Sequence, residues 1–257
     1  MMNQLPVSGL EVSVRLPTGE DDMALLEFPG NETETAMALI SRLASARSGE
    51  PIDWGGLTVP DMEALLLRIR QAALGDRIQC DLRCGNRACG AEVEMSFSID
   101  AYLDHYRPSV PTFVEPGEQD GWFQLKGERV QFRPPRARDQ ARVSGRDAGW
   151  LELRRSCVQP ETAPAKVMRR VEGALDKIAP ILSRPLDAEC SECGVKMPVY
   201  FDVVSFLLAE LRGQAAYIFE DVQALAVHFH WQEAAILAMP SRRRARYVEL
   251  TSQTGAM

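Results

Sequence analysis

Two cysteine pairs lie about a hundred residues apart, and each pair ends on a glycine. Cys84 and Cys89 have the spacing C-x4-C-G, and Cys190 and Cys193 have the spacing C-x2-C-G. Each pair has the form of a zinc knuckle, a tight turn that directs two thiolates at one point. One pair cannot complete a tetrahedral zinc site, whereas two pairs can. The pattern therefore predicts a contact between distant parts of the chain, made through one metal ion.

The predicted metal site contains four sulfur ligands, which leave no open position for water. Zinc bound in this way is structural, and folding is expected to depend on it. The longer loop of the first pair departs from the usual x2 knuckle. Three other interpretations use the same residues: an iron-sulfur cluster, a redox dithiol at Cys190 and Cys193, or four ordinary thiols. Cys80 is interpreted as a small strand residue and Cys157 as a packed helix residue.

The surroundings of the two cysteine pairs correspond at a constant offset of 104 residues. The matched positions after each pair are Met95, Phe97, Ile99, Tyr102 and Leu103, and Val199, Phe201, Val203, Phe206 and Leu207. Thr58 corresponds to Thr162 at the same offset, and residues 12–17 resemble residues 130–135 at an offset of 118. A duplicated unit of roughly 90 to 100 residues is the simplest interpretation.

The predicted fold class is α+β: two tandem α+β repeats, joined by the four-cysteine zinc-knuckle pair and followed by a helical C-terminal tail. The predicted bounds are residues 10–105 for the first repeat, 106–121 for a proline-rich linker, 122–212 for the second repeat and 213–257 for the helical segment. The alternation of Val12, Val14 and Leu16 predicts a strand. Residues 34–46 are expected to be helical, and residues 20–22, all acidic, to begin a solvated helix.

A capped helix is predicted to begin after Thr58, with an apolar stripe on one face. Strands are expected on both sides of each cysteine pair, at residues 77–82 and 92–98 and at residues 185–189 and 196–202. Helices are expected at residues 203–211, 217–229, 231–239 and 241–250, with Ser241 as the cap of the last one. The predicted stripe consists of Met62, Leu65, Leu66, Ile69 and Ala73.

Composition narrows the possible functions. The net charge of -7 argues against a general nucleic-acid binder, which carries a basic face. No stretch approaches the roughly 20 apolar residues of a membrane helix, and no secretion signal is evident at the N-terminus. Six cysteines in such a chain favour thiols and metal over disulfides. The sequence contains no recognisable catalytic constellation or nucleotide-binding motif, so we expect no enzyme.

A basic run at residues 242–246 is the local exception to the acidic balance. It is compatible with a nucleic-acid contact, with a solvated helix whose Tyr247 and Leu250 turn inward, or with a docking helix for an acidic partner. The first option would make the chain a zinc-ribbon nucleic-acid-binding regulator, which is the alternative function. Such binding would weaken steeply with salt.

Two strings resemble known phage proteins. Residues 230–247 (HWQEAAILAMPSRRRARY) resemble a phage tail assembly segment, in which a Trp starts a short helix and an Arg-rich helix with a Tyr follows. Residues 14–22 (VRLPTGEDD) and the knuckle region resemble the T-even phage baseplate hub assembly chaperone family, which has relatives in phages and phage-like contractile injection systems.

The resemblance implies a non-enzymatic assembly chaperone or structural component of a contractile tail baseplate. Its expected partners are baseplate hub, tube or other tail proteins, met in the cytoplasm during assembly or within the finished particle, and not membranes. Aromatic anchors beside a basic helix are typical of binding hot spots. The predicted partner-binding residues are Trp231, Ile236, Leu237, Arg242, Arg243 and Tyr247.

Overall fold

The computed structural model describes residues 2–147 and 149–254, and it has the predicted α+β class, with short antiparallel sheets and a helical C-terminal region. The helices are α1 Gly19–Glu27, α2 Glu32–Leu43, α3 Val59–Leu74, α4 Ile99–His105, α5 Ala137–Val143, α6 Gly149–Cys157, α7 Ala165–Ile178, α8 Val203–Ala215, α9 Ile218–Phe229, α10 Glu233–Leu237 and α11 Ser241–Thr254.

The strands form two sheets and two separate hairpins. The sheets have the orders β1-β2-β3 and β6-β7-β8-β9, and the hairpins are β4-β5 and β10-β11. The strands are β1 Met2–Gln4, β2 Glu11–Val14, β3 Ala44–Ala46, β4 Arg77–Arg83, β5 Glu92–Ser98, β6 Val114–Pro116, β7 Phe123–Leu125, β8 Gln131–Phe132, β9 Val158–Gln159, β10 Arg184–Glu189 and β11 Lys196–Phe201.

One order of elements occurs twice along the chain. From β2 to α4 the order is strand, helix, helix, strand, helix, hairpin and helix, and the same order runs from β8 to α8. One ion pair also occurs in both places. Arg15 Nη1 lies 2.6 Å from Asp21 Oδ2, and Arg133 Nη1 lies 2.6 Å from Asp139 Oδ2. Each aspartate also accepts a backbone N–H at the start of its helix, from Thr18 or from Arg136.

Helix α3 lies at the centre of the larger core. Four residues of its predicted stripe, Met62, Leu65, Leu66 and Ile69, are at 0% exposure, and the fifth, Ala73, is half-buried. The predicted cap is also present, because the Asp61 N–H donates to Thr58 Oγ1 at 3.3 Å. Leu207 and Leu208 of α8 belong to the same core, although α8 lies more than a hundred residues further along the chain. The main core, which runs from Leu5 to Leu211, therefore combines residues that are early in the sequence with residues that are late in it.

A second, smaller core fills the middle of the chain. It is formed by residues of the β6-β7-β8-β9 sheet and of α7, including Leu125, Phe132, Val158 and Val171. Strand β6 lies within the range expected to be a linker, and it pairs with β7.

A salt bridge at 2.7 Å between Arg70 of α3 and Glu210 of α8 joins elements from the two ends of the main core.

Several sequence-based expectations need correction. Residues 44–46 are a strand and not the end of a helix, because Ala44 and Ala46 pair with Val14 and Val12. The acidic residues 20–22 do begin a helix, but Asp21 is not solvated. Its side chain is 1% exposed and also lies 3.0 Å from Arg42 Nε. Arg15 and Arg42 therefore pair with a buried carboxylate, a role that the local sequence pattern does not reveal.

The other corrections concern helix starts. Thr162 corresponds to the helix cap Thr58 at the offset of 104 residues, but helix α7 begins only at Ala165, with Pro164 in the cap position. Ser241 is the first residue of α11, and its hydroxyl lies 3.3 Å from the carbonyl oxygen of Pro17 and 3.2 Å from Asp22 Oδ2. Ser241 therefore joins the C-terminal helix to the start of α1.

A buried carboxylate joins α3 to the segment that leads into β10. Glu63 is 1% exposed, and it accepts hydrogen bonds from the N–H of Leu182 at 2.7 Å and from the hydroxyl of Ser183 at 2.6 Å. The Ser183 hydroxyl in turn accepts from the N–H at the start of α8, at 3.0 Å. Burial raises the pKa of Glu63 to about 7, even though the hydrogen bonds from Ser183 and Leu182 favour the carboxylate.

The raised pKa of Glu63 predicts a pH dependence of stability. Its ordinary pKa is 4.5, so the folded chain holds this proton more tightly than the unfolded chain does. The resulting stabilisation is complete below pH 4.5 and is lost as the pH rises through 7. We expect a change on the order of 3 kcal/mol in the free energy of unfolding across this window. Urea unfolding as a function of pH measures it.

Glu63→Gln is the matched variant, because the amide keeps the shape of the side chain but does not titrate. Its unfolding free energy should vary less with pH between 4.5 and 7 than that of the original chain. Equal pH profiles for the two proteins would show that Glu63 is not the group responsible.

Candidate metal centre and C-terminal surface

The two hairpins bring the four predicted cysteines together. Cys84 follows β4 and Cys89 precedes β5, while Cys190 and Cys193 lie in the turn between β10 and β11. All four Sγ atoms lie within 4.8 Å of one another. The Sγ–Sγ distance is 3.5 Å for Cys84 and Cys193 and 3.9 Å for Cys89 and Cys190. Each of these close pairs joins one hairpin to the other.

The distances suit a single metal ion held by four sulfurs. With Zn–S bonds of about 2.3 Å, the edge of an ideal tetrahedron between sulfurs is about 3.8 Å. A disulfide would instead bring two sulfurs to about 2.05 Å. The group can therefore hold a metal ion in a closed site, and it leaves no position for a substrate or water.

The backbone conformation explains why a glycine follows each cysteine pair. Gly90 has φ of 59° and Gly194 has φ of 68°, a left-handed conformation that favours glycine. In the second turn the Gly194 N–H donates to the carbonyl oxygen of Cys190 at 2.8 Å. In the first turn the Gly90 N–H donates to the carbonyl oxygen of Asn86 at 3.0 Å. The x4 loop therefore closes in the same manner as the x2 loop.

Backbone amides in the turns face the sulfurs. The Val195 N–H hydrogen bond to Cys193 is the main reason that the pKa of this thiol is lowered to about 7. The Asn86 N–H favours the Cys84 thiolate in the same way. Burial and the other three sulfurs outweigh it and raise the pKa of Cys84 to about 12. The thiols therefore compete for negative charge, which a bound cation would offset.

A small apolar cluster surrounds the sulfurs. Val93, Ala188 and Met197 are buried there, and the Gly85 N–H lies 3.3 Å from the Met197 sulfur. The other two cysteines lie outside the group, as expected. Cys80 is a half-buried residue of β4, and Cys157 is buried at the end of α6.

The C-terminal helices form an aromatic cluster. The Trp231 ring stacks on Phe229, with centroids 4.7 Å apart, and meets Tyr247 edge-on at 5.0 Å. The guanidinium of Arg243 lies 5.7 Å from the centroid of Tyr247. Trp231 and Tyr247 are half-buried and Arg243 is exposed, so the cluster forms a surface patch.

The remaining predicted partner-binding residues lie in different surroundings. Ile236 is 0% exposed and packs inside the chain, so it has no surface to offer a partner. Leu237 is half-buried. Arg242 is exposed, and its Nε donates to the carbonyl oxygen of Ala73 at 3.1 Å.

Residues 1–147 match the family model described as T4 bacteriophage base plate protein. The chain belongs to this family. The sequence-based identification of a phage baseplate protein is therefore confirmed, and membership supports a structural baseplate role together with other baseplate or tail proteins. No curated protein and no solved structure matches the chain. Among the helices that the structure describes, none is long and apolar enough to cross a membrane.

The family match divides the candidate sites of this baseplate protein. Cys84 and Cys89 lie within the matched residues, whereas Cys190, Cys193 and the aromatic cluster lie beyond them. The four-sulfur group therefore joins the matched region to the rest of the chain.

Arg244 is a structural residue that the sequence pattern did not distinguish from the other arginines of its run. It is 3% exposed, and its Nη2 and Nε atoms lie 2.5 Å from Asp22 Oδ2 and 2.8 Å from Asp221 Oδ2. Burial raises the pKa of Asp22 even though Arg244 favours its charged form. Gly19 allows α10 to approach the start of α1 closely, since a Cβ at Gly19 would lie 2.9 Å from Cα of Leu237. Arg244 thus fastens α11 to α1 and α9.

Replacing Arg244 tests this role. Arg244→Met would leave Asp22 and Asp221 without their shared cation, and we expect a loss of about 3–5 kcal/mol in the free energy of unfolding. Arg246→Met is the matched control, because Arg246 is exposed and pairs with Glu249 of its own helix α11. Its effect should be below about 1 kcal/mol. Chemical denaturation measures both, and equal losses would contradict a specific role for Arg244.

Proposed function

We propose that this baseplate family member is a non-enzymatic assembly chaperone or structural component of a contractile phage-tail-like particle, and that it acts by binding other tail proteins. The observation that carries the proposal is the family match over residues 1–147. The closed geometry of the four-sulfur group agrees with it, because such a group stabilises a fold and does not turn over a substrate.

We further propose that the chain arose by duplication of one α+β unit, with copies at residues 10–105 and 122–212. The recurring order of elements supports this, as do the equivalent ion pairs of Asp21 and Asp139. Residues 106–121 would be the connection, and residues 213–257 a helical addition, of which residues 255–257 lie outside the described structure. The last helix of the second copy, α8, packs in the core of the first, so the two copies are not separate bodies.

The ion in the four-sulfur group is proposed to be zinc. Zinc accepts thiolates, prefers the tetrahedron and has no redox chemistry, all of which suit a structural junction. Cys84 and Cys89 would hold it from one hairpin, and Cys190 and Cys193 from the other. Each copy of the duplicated unit would then supply half of the site.

The proposed contact surface for hub, tube or other tail proteins is the patch around the aromatic cluster. Trp231 and Tyr247 supply rigid apolar area, and Arg242 and Arg243 supply positive charge, a combination enriched in hot spots. Leu237 stays in the proposed surface because it is half-buried, whereas Ile236 is left out because it is fully buried. A partner with acidic and apolar groups would complement this patch.

The alternative of nucleic-acid binding is not favoured. Its candidate residues 242–246 include the buried Arg244 and also Arg246, which pairs with Glu249 at 2.6 Å. The net charge of -7 opposes it as well.

Metal analysis tests the zinc proposal. Protein purified with reductant is expected to carry about one zinc ion per chain, and Cys190→Ser should lose it, because three sulfurs remain. Hydrogen exchange should then increase in both hairpins, at Arg77–Arg83 as well as at Arg184–Glu189. Cys80→Ser is the control and should keep both metal and protection. Iron, no metal, or a Cys190→Ser protein with unchanged exchange would reject the shared zinc site.

Particle assembly tests the contact surface. Arg243→Glu reverses the charge above Tyr247 without changing the buried contacts of α11, so the protein should fold but support fewer intact contractile particles. Arg246→Glu places the same charge elsewhere on the same helix and should leave particle numbers nearly unchanged. Electron microscopy of particles from strains carrying each variant gives the count. Normal assembly with Arg243→Glu would argue against this surface.

A further inference from the structure

A cavity lies between α11 and the main core, and neither the metal junction nor the aromatic cluster uses it. It has a volume of about 340 Å³, which is more than twice that of an engineered cavity of about 150 Å³ that holds benzene. Most of its surface is apolar, and its floor is formed by buried residues of α1, α2 and α3, which are Leu25, Leu39, Leu43 and Ile69. The exposed residues at its rim include Gln214, Tyr217, Arg242 and Glu249.

The two halves of the chain show that α11 takes a place that α3 takes elsewhere. Ser241, the first residue of α11, donates its N–H to the carbonyl oxygen of Pro17 at 3.1 Å, just before α1. Val59, the first residue of α3, donates its N–H to the carbonyl oxygen of Pro135 at 2.9 Å, just before α5. The two prolines correspond at the offset of 118 residues, and an isolated β-bridge one residue further on is present in both places. Helix α11 therefore begins against α1 as α3 begins against α5.

The side chains of α11 fill this place less completely than those of α3 fill theirs. Counted from the first residue of each helix, the buried stripe Met62, Leu65, Leu66 and Ile69 of α3 corresponds to Arg244, Tyr247, Val248 and Thr251 of α11. The four residues of α3 are at 0% exposure, whereas the last three of their counterparts in α11 are only half-buried. Arg244 is buried, but its guanidinium is engaged by carboxylates. Helix α11 therefore covers an apolar surface of the main core without filling the space above it.

One positive charge at the rim of the cavity is available to a ligand. The carboxylates that line the cavity have arginine partners, since Asp21 pairs with Arg15 and Arg42, Asp22 and Asp221 pair with Arg244, and Glu249 pairs with Arg246. Arg242 pairs with no carboxylate in the described part of the chain. Its Nε donates to the carbonyl oxygen of Ala73, and its Nη1 and Nη2 atoms have no hydrogen-bond partner among the described residues. An arginine with free terminal nitrogens can bind a carboxylate through charge-assisted hydrogen bonds.

We propose that this cavity binds a free amphiphile that has one unbranched hydrocarbon chain and one carboxylate. The hydrocarbon chain would lie between α11 and the leucine-lined floor, and the carboxylate would pair with Arg242. In proportion to the benzene cavity, there is room for roughly 12 carbon atoms. A single aromatic side chain of a partner protein would leave about half of this volume empty, so a free hydrocarbon chain fits better than a docked side chain.

The composition of the cavity agrees with a ligand site of this kind. Small-molecule sites have volumes of about 300–1,000 Å³ and mostly apolar walls, with a few polar groups that fix the orientation of the ligand. The ligand is a small molecule, so the site does not depend on the proposed contacts with tail proteins.

Isothermal titration calorimetry of the full chain with decanoate tests the proposal. One decanoate should bind per chain, and hexanoate, which buries four fewer CH₂ groups, should bind roughly 200-fold more weakly. The neutral analogue 1-decanol has the same chain length without the charge, and it should bind about tenfold more weakly than decanoate. The absence of saturable decanoate binding, or equal affinities for decanoate and hexanoate, would overturn the proposal.

Two variants locate the ligand. Arg242→Gln should lower the affinity for decanoate about tenfold, to that of 1-decanol. Arg169→Gln is its control, because it removes an exposed charge on α7, away from the cavity, and should leave decanoate binding unchanged. Val248→Phe enlarges a side chain of the cavity wall and should weaken the binding of both ligands by about tenfold or more.

Circular dichroism establishes that the variants are folded. Equal effects of Arg242→Gln and Arg169→Gln, or full decanoate affinity in a folded Val248→Phe protein, would place the ligand elsewhere and overturn the proposal.

Discussion

Four sulfurs bring together two hairpins from distant parts of the chain, and a metal ion held between them would fix this long-range contact. Hairpins β4-β5 and β10-β11 share no strand pairing, and the apolar cluster between them is small. Two-stranded hairpins of this size are marginally stable by themselves. The sulfurs of Cys84, Cys89, Cys190 and Cys193 join chain segments about a hundred residues apart, so the binding of a metal ion would be coupled to folding and would stabilise the folded chain.

Beside the apolar core that α3 and α8 share, buried charges provide further links between distant elements. Glu63 joins α3 to the approach to β10, Arg70 joins α3 to α8, and Arg244 joins α11 to α1 and α9. Such contacts add specificity to apolar packing, because a buried charge without its partner is strongly destabilising. Together with the apolar core, they hold α8 and α11, which are late in the sequence, against elements near its start.

The sequence predicted the periodic elements well. Helix α3 and its buried stripe, both hairpins and the general order of the C-terminal helices follow from apolar spacing, caps and turn residues. Errors arose where tertiary partners decide the outcome. Residues 44–46 are a strand because β2 lies beside them, and Asp21 is buried because Arg15 and Arg42 neutralise it. The local sequence pattern does not distinguish a solvated run of acidic residues from one whose carboxylates form ion pairs.

The candidate sites also divide into features that the local sequence determines and features that depend on tertiary contacts. The cysteine spacings and their glycines identified the four sulfurs, because knuckle turns are local and their left-handed glycines are visible in the sequence. The arginine run was different, since Arg244 is buried while Arg242 and Arg243 are exposed, and no pattern within five adjacent residues separates them. By itself, the sequence determined the turns, the helical stripes and the four metal-ligand candidates, which depend on neighbours along the chain. Only the tertiary structure decided which charges are buried and that α8 completes the first core, because these depend on residues brought together from distant positions.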